Sequence, residues 1–186
     1  ASTMGPHANE TPWLYSPSLD EVLAQAKEFV ETHPEYQVYK VQAGNKELWT
    51  RKPNRHDLDE ICPDKPFMMF DSGAHAWTGN SVLFEKLGIT KDTPDPSPGL
   101  SQYERDENGE LTGYATEYSS FEAMRVVDTV PREDIADNLR KLIAFNLSMG
   151  ITGAYDAGSM ELKPDDETLD VLTDLDEAGA LTQRLS

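Results

Sequence analysis

The order in which helical and extended patterns follow one another constrains this chain most. In "SPSLDEVLAQAKEFVETHPE", Val22, Leu23, Ala26, Phe29 and Val30 fall on one helical face. Ser18 and Glu21 stand in capping-box spacing before them, and Pro34 closes the segment. "YQVYKVQA" then alternates β-branched and aromatic residues with polar ones, which predicts a strand over 36–43. "NRHDLDEIC" predicts a short helix stopped by Pro63, and "PFMMFDS" a buried strand. "SVLFEKLG" predicts a helix with Gly88 just past its end. Between those last two, "DSGAHAWTGNS" reads as a strand-to-helix loop. "DTPDPSPG" is loop, because its prolines fix φ and remove donors. "LSQYERDENGELTGYATE" predicts a hairpin turning on Asn108-Gly109. "PREDIADNLRKLIAFNLSMG" predicts a helix, "ITGAYD" a strand and "DDETLDVLTDLDEAG" another helix. The expected class is therefore α/β, a mixed and partly parallel sheet with flanking helices and one β-hairpin.

Composition narrows the partners. Thirty-four acidic against sixteen basic residues give a net charge of −18, so nucleic acid and anionic membrane surfaces are expected to be repelled. Hydrophobic residues make up 38%, a modest share, but they come in periodic clusters that can build a core over 186 residues. Cys62 is the only cysteine, which excludes an intrachain disulfide and a cysteine-based zinc site and fits a reducing, cytoplasmic setting. No apolar run approaches the roughly 18 residues that span a bilayer, and no signal peptide opens the chain. The chain reads as a segment of something longer.

Histidines are candidates for catalysis or metal binding, and His7, His33, His56 and His75 are available. None stands in an H-x-H or H-E-x-x-H pair, so spacing gives no metal site. His33 reads as a helix-end residue and His56 as a solvated one. Asp71 and His75, four apart, could share a hydrogen bond that orients the imidazole, either as a structural pair or as a catalytic one. Asp156 is expected at the end of a strand, where it either faces a site or caps the following turn. Glu117 ends the hairpin's second strand in a similar way. Trp13, Trp49 and Trp77 could line a pocket or serve the core. Neither a G-x-S-x-G elbow nor a P-loop occurs, which argues against an elbow-type esterase and a nucleoside-triphosphate site.

The motifs taken in order are more specific than any one of them. "NRHDLDEICPDKPFMMFDSGAHAWTGNSVLFEKLGIT", "TPDPSPG", "YERDENGELTGYATE" and "GITGAYDAGS" follow one another in a spacing that resembles the YtcJ-type amidohydrolases, within the metal-dependent amidohydrolase superfamily. That family includes N-substituted formamide deformylases. The resemblance runs from about Leu19 to Leu185. His75, Asn80 and Ser81 match the family's stretch in which a Gly-His pair and Asn-Ser precede a helix. Ala74 stands where the family usually has Gly, and Trp77 where it has a small residue. Glu117 matches the glutamate that ends the family's hairpin, and Asp156 the end of an early barrel strand.

The resemblance implies a metal-binding β/α barrel with a large α/β insertion after its first strand. On that basis residues 1–130 would be the α/β insertion domain with its hairpin, and 131–186 partial early β/α barrel units. The family's metal ligands match no position here. Zinc or another divalent metal is thus expected in the full-length enzyme and not in this segment, which would be inert alone. The parent would hydrolyse carbon–nitrogen bonds, other than peptide bonds, of small N-acyl or amide substrates. His75, Trp77 and Asn80 would shape or line the substrate pocket, with Glu117 and Asp156 in support. Apolar surface left uncovered would favour self-association. The alternative is a non-catalytic acidic regulatory or interaction domain on the same scaffold, since some family members are labelled regulators of exoenzyme production.

Overall fold

Six strands form one mixed sheet in the order β1-β2-β3-β4-β6-β5. A computed structural model describes residues 11–73, 75–127, 132–155 and 165–185. These fall into two units, Thr11–Val127 and a second that contains the described residues after Val127. In the first unit, β1 (Trp13–Tyr15), β2 (Tyr39–Gly44) and β3 (Phe67–Asp71) run parallel. They are linked through α1 (Leu19–Thr32) and α2 (Arg55–Ile61). β4 (Ala76–Gly79) and β6 (Leu111–Thr116) continue the sheet antiparallel, and β5 (Tyr103–Arg105) closes its edge. α3 (Ser81–Leu87) and α4 (Ser119–Val127) complete the unit.

Strand alternation sends successive side chains to opposite faces, and each face carries its own core. Tyr39, Val41, Ala43, Phe67 and Met69 pack with Val22, Ala26 and Phe29 of α1 and Leu58 of α2. Met68, Phe70, Trp77 and Ala115 pack instead with Leu83 and Phe84 of α3 and Ala123 and Met124 of α4. β2 and β3 are buried at every position, which explains why "FMMFD" shows no alternation of apolar and polar residues.

Two local expectations are corrected. "DSGAHAWTGNS" is not simply a loop, because it turns back through β4, which pairs with β3 as Met68↔Gly79, Met69↔Thr78 and Phe70↔Trp77. The sheet therefore has an antiparallel β3–β4 pair besides the expected hairpin. The reversal is held by Asp71, whose Oδ1 accepts from the backbone N–H groups of His75 at 3.0 Å and Ala76 at 3.3 Å. The first helix also starts differently: Ser18 is the N-cap residue but makes no side-chain cap bond. Ser16 Oγ instead accepts from Ser18 N at 3.0 Å and donates to Glu21.

Asn80 ties α2, β3 and α3 together. Its Oδ1 accepts from Leu83 N and Phe67 N, both at 3.0 Å, so one oxygen caps α3 and starts β3. Its Nδ2 donates to Cys62 O at 2.7 Å and Lys65 O at 2.8 Å, and the residue is fully buried. All four hydrogen-bonding positions of the amide are thus filled by the chain.

The second unit holds α5 (Arg132–Ser148), α6 (Asp165–Glu177) and a short parallel pair, β7 (Gly153–Ala154) with β8 (Arg184–Leu185). Ile135, Leu139, Val171 and Leu175 form its core. The predicted strand "ITGAYD" is much shorter than its pattern suggested. Asp156, His7 and Ala74 lie outside the described residues. Among the described residues, no helix is long and apolar enough to cross a membrane.

Asn80→Ala strips two buried N–H donors and two buried carbonyls of their partners, so it is expected to lower unfolding free energy by about 3 kcal/mol or more. Asn80→Asp keeps the acceptor but loses both donors and should destabilise nearly as much. Urea denaturation followed by tryptophan fluorescence measures both.

Candidate functional site

In an open sheet of parallel strands, the carboxyl ends of the strands are where ligands collect. Asp71 is the last residue of β3, and Lys46 follows the end of β2 on a 3-10 turn, Lys46–Leu48. Asn45 admits that turn by taking a left-handed backbone, φ 67°. Lys46 Nζ then donates to Asp71 Oδ2, while Asp71 Oδ1 holds the start of β4. Burial works against the Lys46 ammonium, but the hydrogen bond and charge of Asp71 outweigh it and hold its pKa above the ordinary lysine value.

Beside this pair lies a cavity of about 420 Å³, within the size range of small-molecule sites. Ala43, Met69, Ala76, Thr78 and Tyr114 contribute to it from the sheet, and Lys46, Trp49, Arg51, Lys52 and Pro53 from the segment after β2. Trp49 is fixed by its Nε1 donating to Ser16 O at 3.1 Å. Lys52 lies 4.2 Å above the Tyr114 ring and donates to Glu104 at 2.6 Å. Arg51 forms a two-pronged pair with Asp57, at 2.6 and 2.7 Å.

Asp57 does double duty, because its Oδ2 also accepts from Asn54 N at 2.8 Å and Asn54 Oδ1 accepts from Asp57 N at 3.2 Å. This capping box starts α2 and sets the place of Arg51 on the cavity. Burial would push the Asp57 carboxyl up, but the Arg51 guanidinium and the Asn54 N–H hold it below its usual value.

The predicted residues take distinct places. His75 Nδ1 lies 3.2 Å from Glu117 Oε2, and Glu117 N donates to His75 O at 3.0 Å. The imidazole is therefore oriented by Glu117, while Asp71 binds the backbone of His75, not its ring. The His75 side chain is 71% exposed. Glu117 sits in the left-handed region, φ 56°, which costs a residue with a Cβ some strain. Trp77 belongs to the cavity wall, but its indole is engaged in the core: it stacks on Phe84 at 5.3 Å and donates to Ser119 Oγ at 2.9 Å. Asn80 is enclosed by its four bonds.

The residues that sequence reasoning passed over are Lys46, Arg51, Lys52, Thr78 and Tyr114. Position was the usable signal for Lys46, since it follows directly on a strand parallel to its neighbour. Thr78 and Tyr114 meet through the β4–β6 register, and Arg51 and Lys52 reach them only through the path of the chain between β2 and α2.

Among the described residues, no three His, Cys, Asp or Glu side chains converge. Asp71 is taken up by Lys46 and two backbone N–H groups, and no third such side chain among the described residues joins His75 and Glu117.

Comparison with known proteins agrees with this architecture. The chain is 29% identical over 145 residues to the exoenzymes regulatory protein AepA of Pectobacterium carotovorum subsp. carotovorum, covering 76% of this chain and 31% of that protein. It is 32% identical over 115 residues to the N-substituted formamide deformylase of Arthrobacter pascens, covering 58% and 20%. The putative amidohydrolase YtcJ of Bacillus subtilis (strain 168) is 31% identical over 101 residues, covering 54% and 19%. The chain thus spans about a third or less of the length of these relatives. An uncharacterized metal-dependent hydrolase from Pyrococcus furiosus shares the fold, with a TM-score of 0.57 at 20% identity, over 95% of this chain and 33% of that one.

Because the folded Asp57 titrates below its unfolded value of 3.8, its stabilising effect is complete above that pH and is lost as pH falls through the folded value. Asp57→Asn is expected to cost about 1 kcal/mol at neutral pH and to flatten the acid limb of the stability curve, as read by denaturation at a series of pH values. A sequence model of the amidohydrolase family matches residues 4–186, and the chain belongs to that family.

Proposed function

We propose that this chain is the part of a metal-dependent amidohydrolase that shapes the substrate side of the active site. The parent would cleave the carbon–nitrogen bond of a small N-acyl or amide substrate. On this reading Thr11–Val127 corresponds to the α/β insertion, and the unit after it to the first β/α units of a barrel. The observation that carries the reading is the His75–Glu117 pair, on a backbone that Asp71 holds and directly before Ala76, Asp71 and Ala76 both being residues of the cavity wall. A carboxylate on Nδ1 favours the tautomer that holds its proton there, leaving Nε2 to accept a hydrogen bond from a substrate amide. Glu117 orients the ring, and Trp77 and Asn80 hold the backbone beneath it.

Zinc or another divalent ion would be held by residues of the parent outside this segment. The similarity to the formamide deformylase supports a hydrolase. A second reading, a non-catalytic regulatory or interaction domain, is favoured by the similarity to the exoenzymes regulatory protein over 76% of this chain.

The purified chain is expected to retain no stoichiometric zinc after dialysis and to leave N-formyl amines intact. Stoichiometric zinc by elemental analysis together with hydrolysis of an N-formyl amine would overturn the inert-segment reading. Phe145, Met149 and Tyr155 of the second unit are 62, 66 and 79% exposed, and we propose that they drive self-association of the isolated chain. Light scattering should then show mass rising with concentration; a monomer at high concentration would count against it.

A further inference from the structure

We infer that the 420 Å³ cavity is a binding site for a small organic monocarboxylate with an apolar body, and that Lys46 is the anchor of its carboxylate. The inference does not depend on the chain hydrolysing anything.

Charge points to an anion. The chain carries sixteen bases against thirty-four acids, yet Lys46, Arg51 and Lys52 all line this one cavity. Arg51 is committed to Asp57 through both terminal nitrogens, and Lys52 to Glu104 and the Tyr114 ring. Lys46 is less committed: an ammonium has three protons, and Asp71 takes one. The remaining two are donors at the edge of the cavity. Asp71 keeps one of the three protons and its charge opposes an incoming carboxylate, so the site relies on the two unused protons of Lys46 with Arg51 and Lys52 beside them. The pair therefore presents a fixed, already oriented cation instead of a flexible one.

The rest of the cavity suits an apolar body. Met69 and the Tyr114 ring contribute apolar surface, and Thr78 offers a single hydroxyl. A cavity of this volume takes a molecule of roughly aryl-carboxylate size. One anchoring ammonium and two cations already paired favour a single carboxylate over a polyanion, whose further charges would meet Asp71, Glu47 and the acidic surface.

The test uses the whole 186-residue chain and 3-phenylpropionate, with neutral 3-phenylpropanamide as its isostere. By isothermal titration, with zinc chelated, the acid should bind saturably and about tenfold or more tightly than the amide. Lys46→Met should remove that preference and Lys46→Arg should keep it, while Lys91→Met, a change to a lysine paired with Glu110 away from the cavity, should leave it untouched. Circular dichroism of each variant checks the fold. If Lys46→Met unfolds the chain, proton chemical shifts of Tyr114 and Thr78 in the wild type report the same event. Equal binding of acid and amide, acid binding that survives Lys46→Met, or shifts elsewhere than the cavity would overturn the proposal. Failure to hydrolyse amides would leave it standing.

Discussion

The carboxylate of Asp71 stands where the sheet changes direction, and both the fold and the candidate site depend on it. Up to this residue the strands run parallel, with Ala43 facing Asp71 across β2 and β3. Beyond it the chain reverses into β4 and the sheet becomes antiparallel. One carboxylate oxygen binds the two N–H groups that begin the return strand, and the other binds Lys46 at the end of β2. A neutral side chain there would leave those N–H groups without an ionised acceptor and Lys46 without its counter-charge. Bonds to an ionised acceptor are stronger than neutral ones, which is why a nearly buried acid can close this turn.

The opposite end of the same two strands is closed by Asn80. There Phe67 begins β3 and Gly79 ends β4, and a single amide side chain caps α3 while binding the carbonyls of Cys62 and Lys65. Asp59 of α2 adds bonds to the Ser81 N–H and hydroxyl, both at 2.7 Å. α2 and α3 lie against opposite faces of the sheet, so these polar bonds join two apolar cores that share only the strands between them. The β3–β4 pair is thus fixed at both ends by side chains that the sequence places nine residues apart, and His75 is carried between them.

Much of the fold was legible in the sequence because burial writes periodic patterns. The α1 stripe, the buried β3 run and the Asn108-Gly109 turn each follow from local rules. β4 was hidden because "AWTG" is only four residues long and stands among Gly, Asn and Ser, which equally describe a loop. Its strand character comes from pairing with β3 and β6, a tertiary fact. The same holds for the site: His75 and Glu117 could be singled out one by one, but their contact spans forty-two positions and rests on the β4–β6 register Ala76↔Thr116. Asn80 was noticed for its type, yet type alone does not distinguish an amide that faces a ligand from one that the chain has saturated.

The charge pattern gives the cavity its meaning. A chain of net charge −18 repels anions at long range, but at physiological ionic strength that field is screened beyond about 8 Å. Inside that distance local pairs decide, and here each cation is held by an acid: Lys46 by Asp71, Arg51 by Asp57, Lys52 by Glu104. Such pairing lowers each cation's pull on a ligand, and it also removes the cost of ordering a long side chain when the ligand arrives. Of the three, only Lys46 combines an acid partner saturated by backbone bonds with unused donors of its own. The asymmetry follows from Asp71 serving the turn and the lysine at once, so the residue that reverses the sheet also fixes the place of the ammonium that keeps donors to spare.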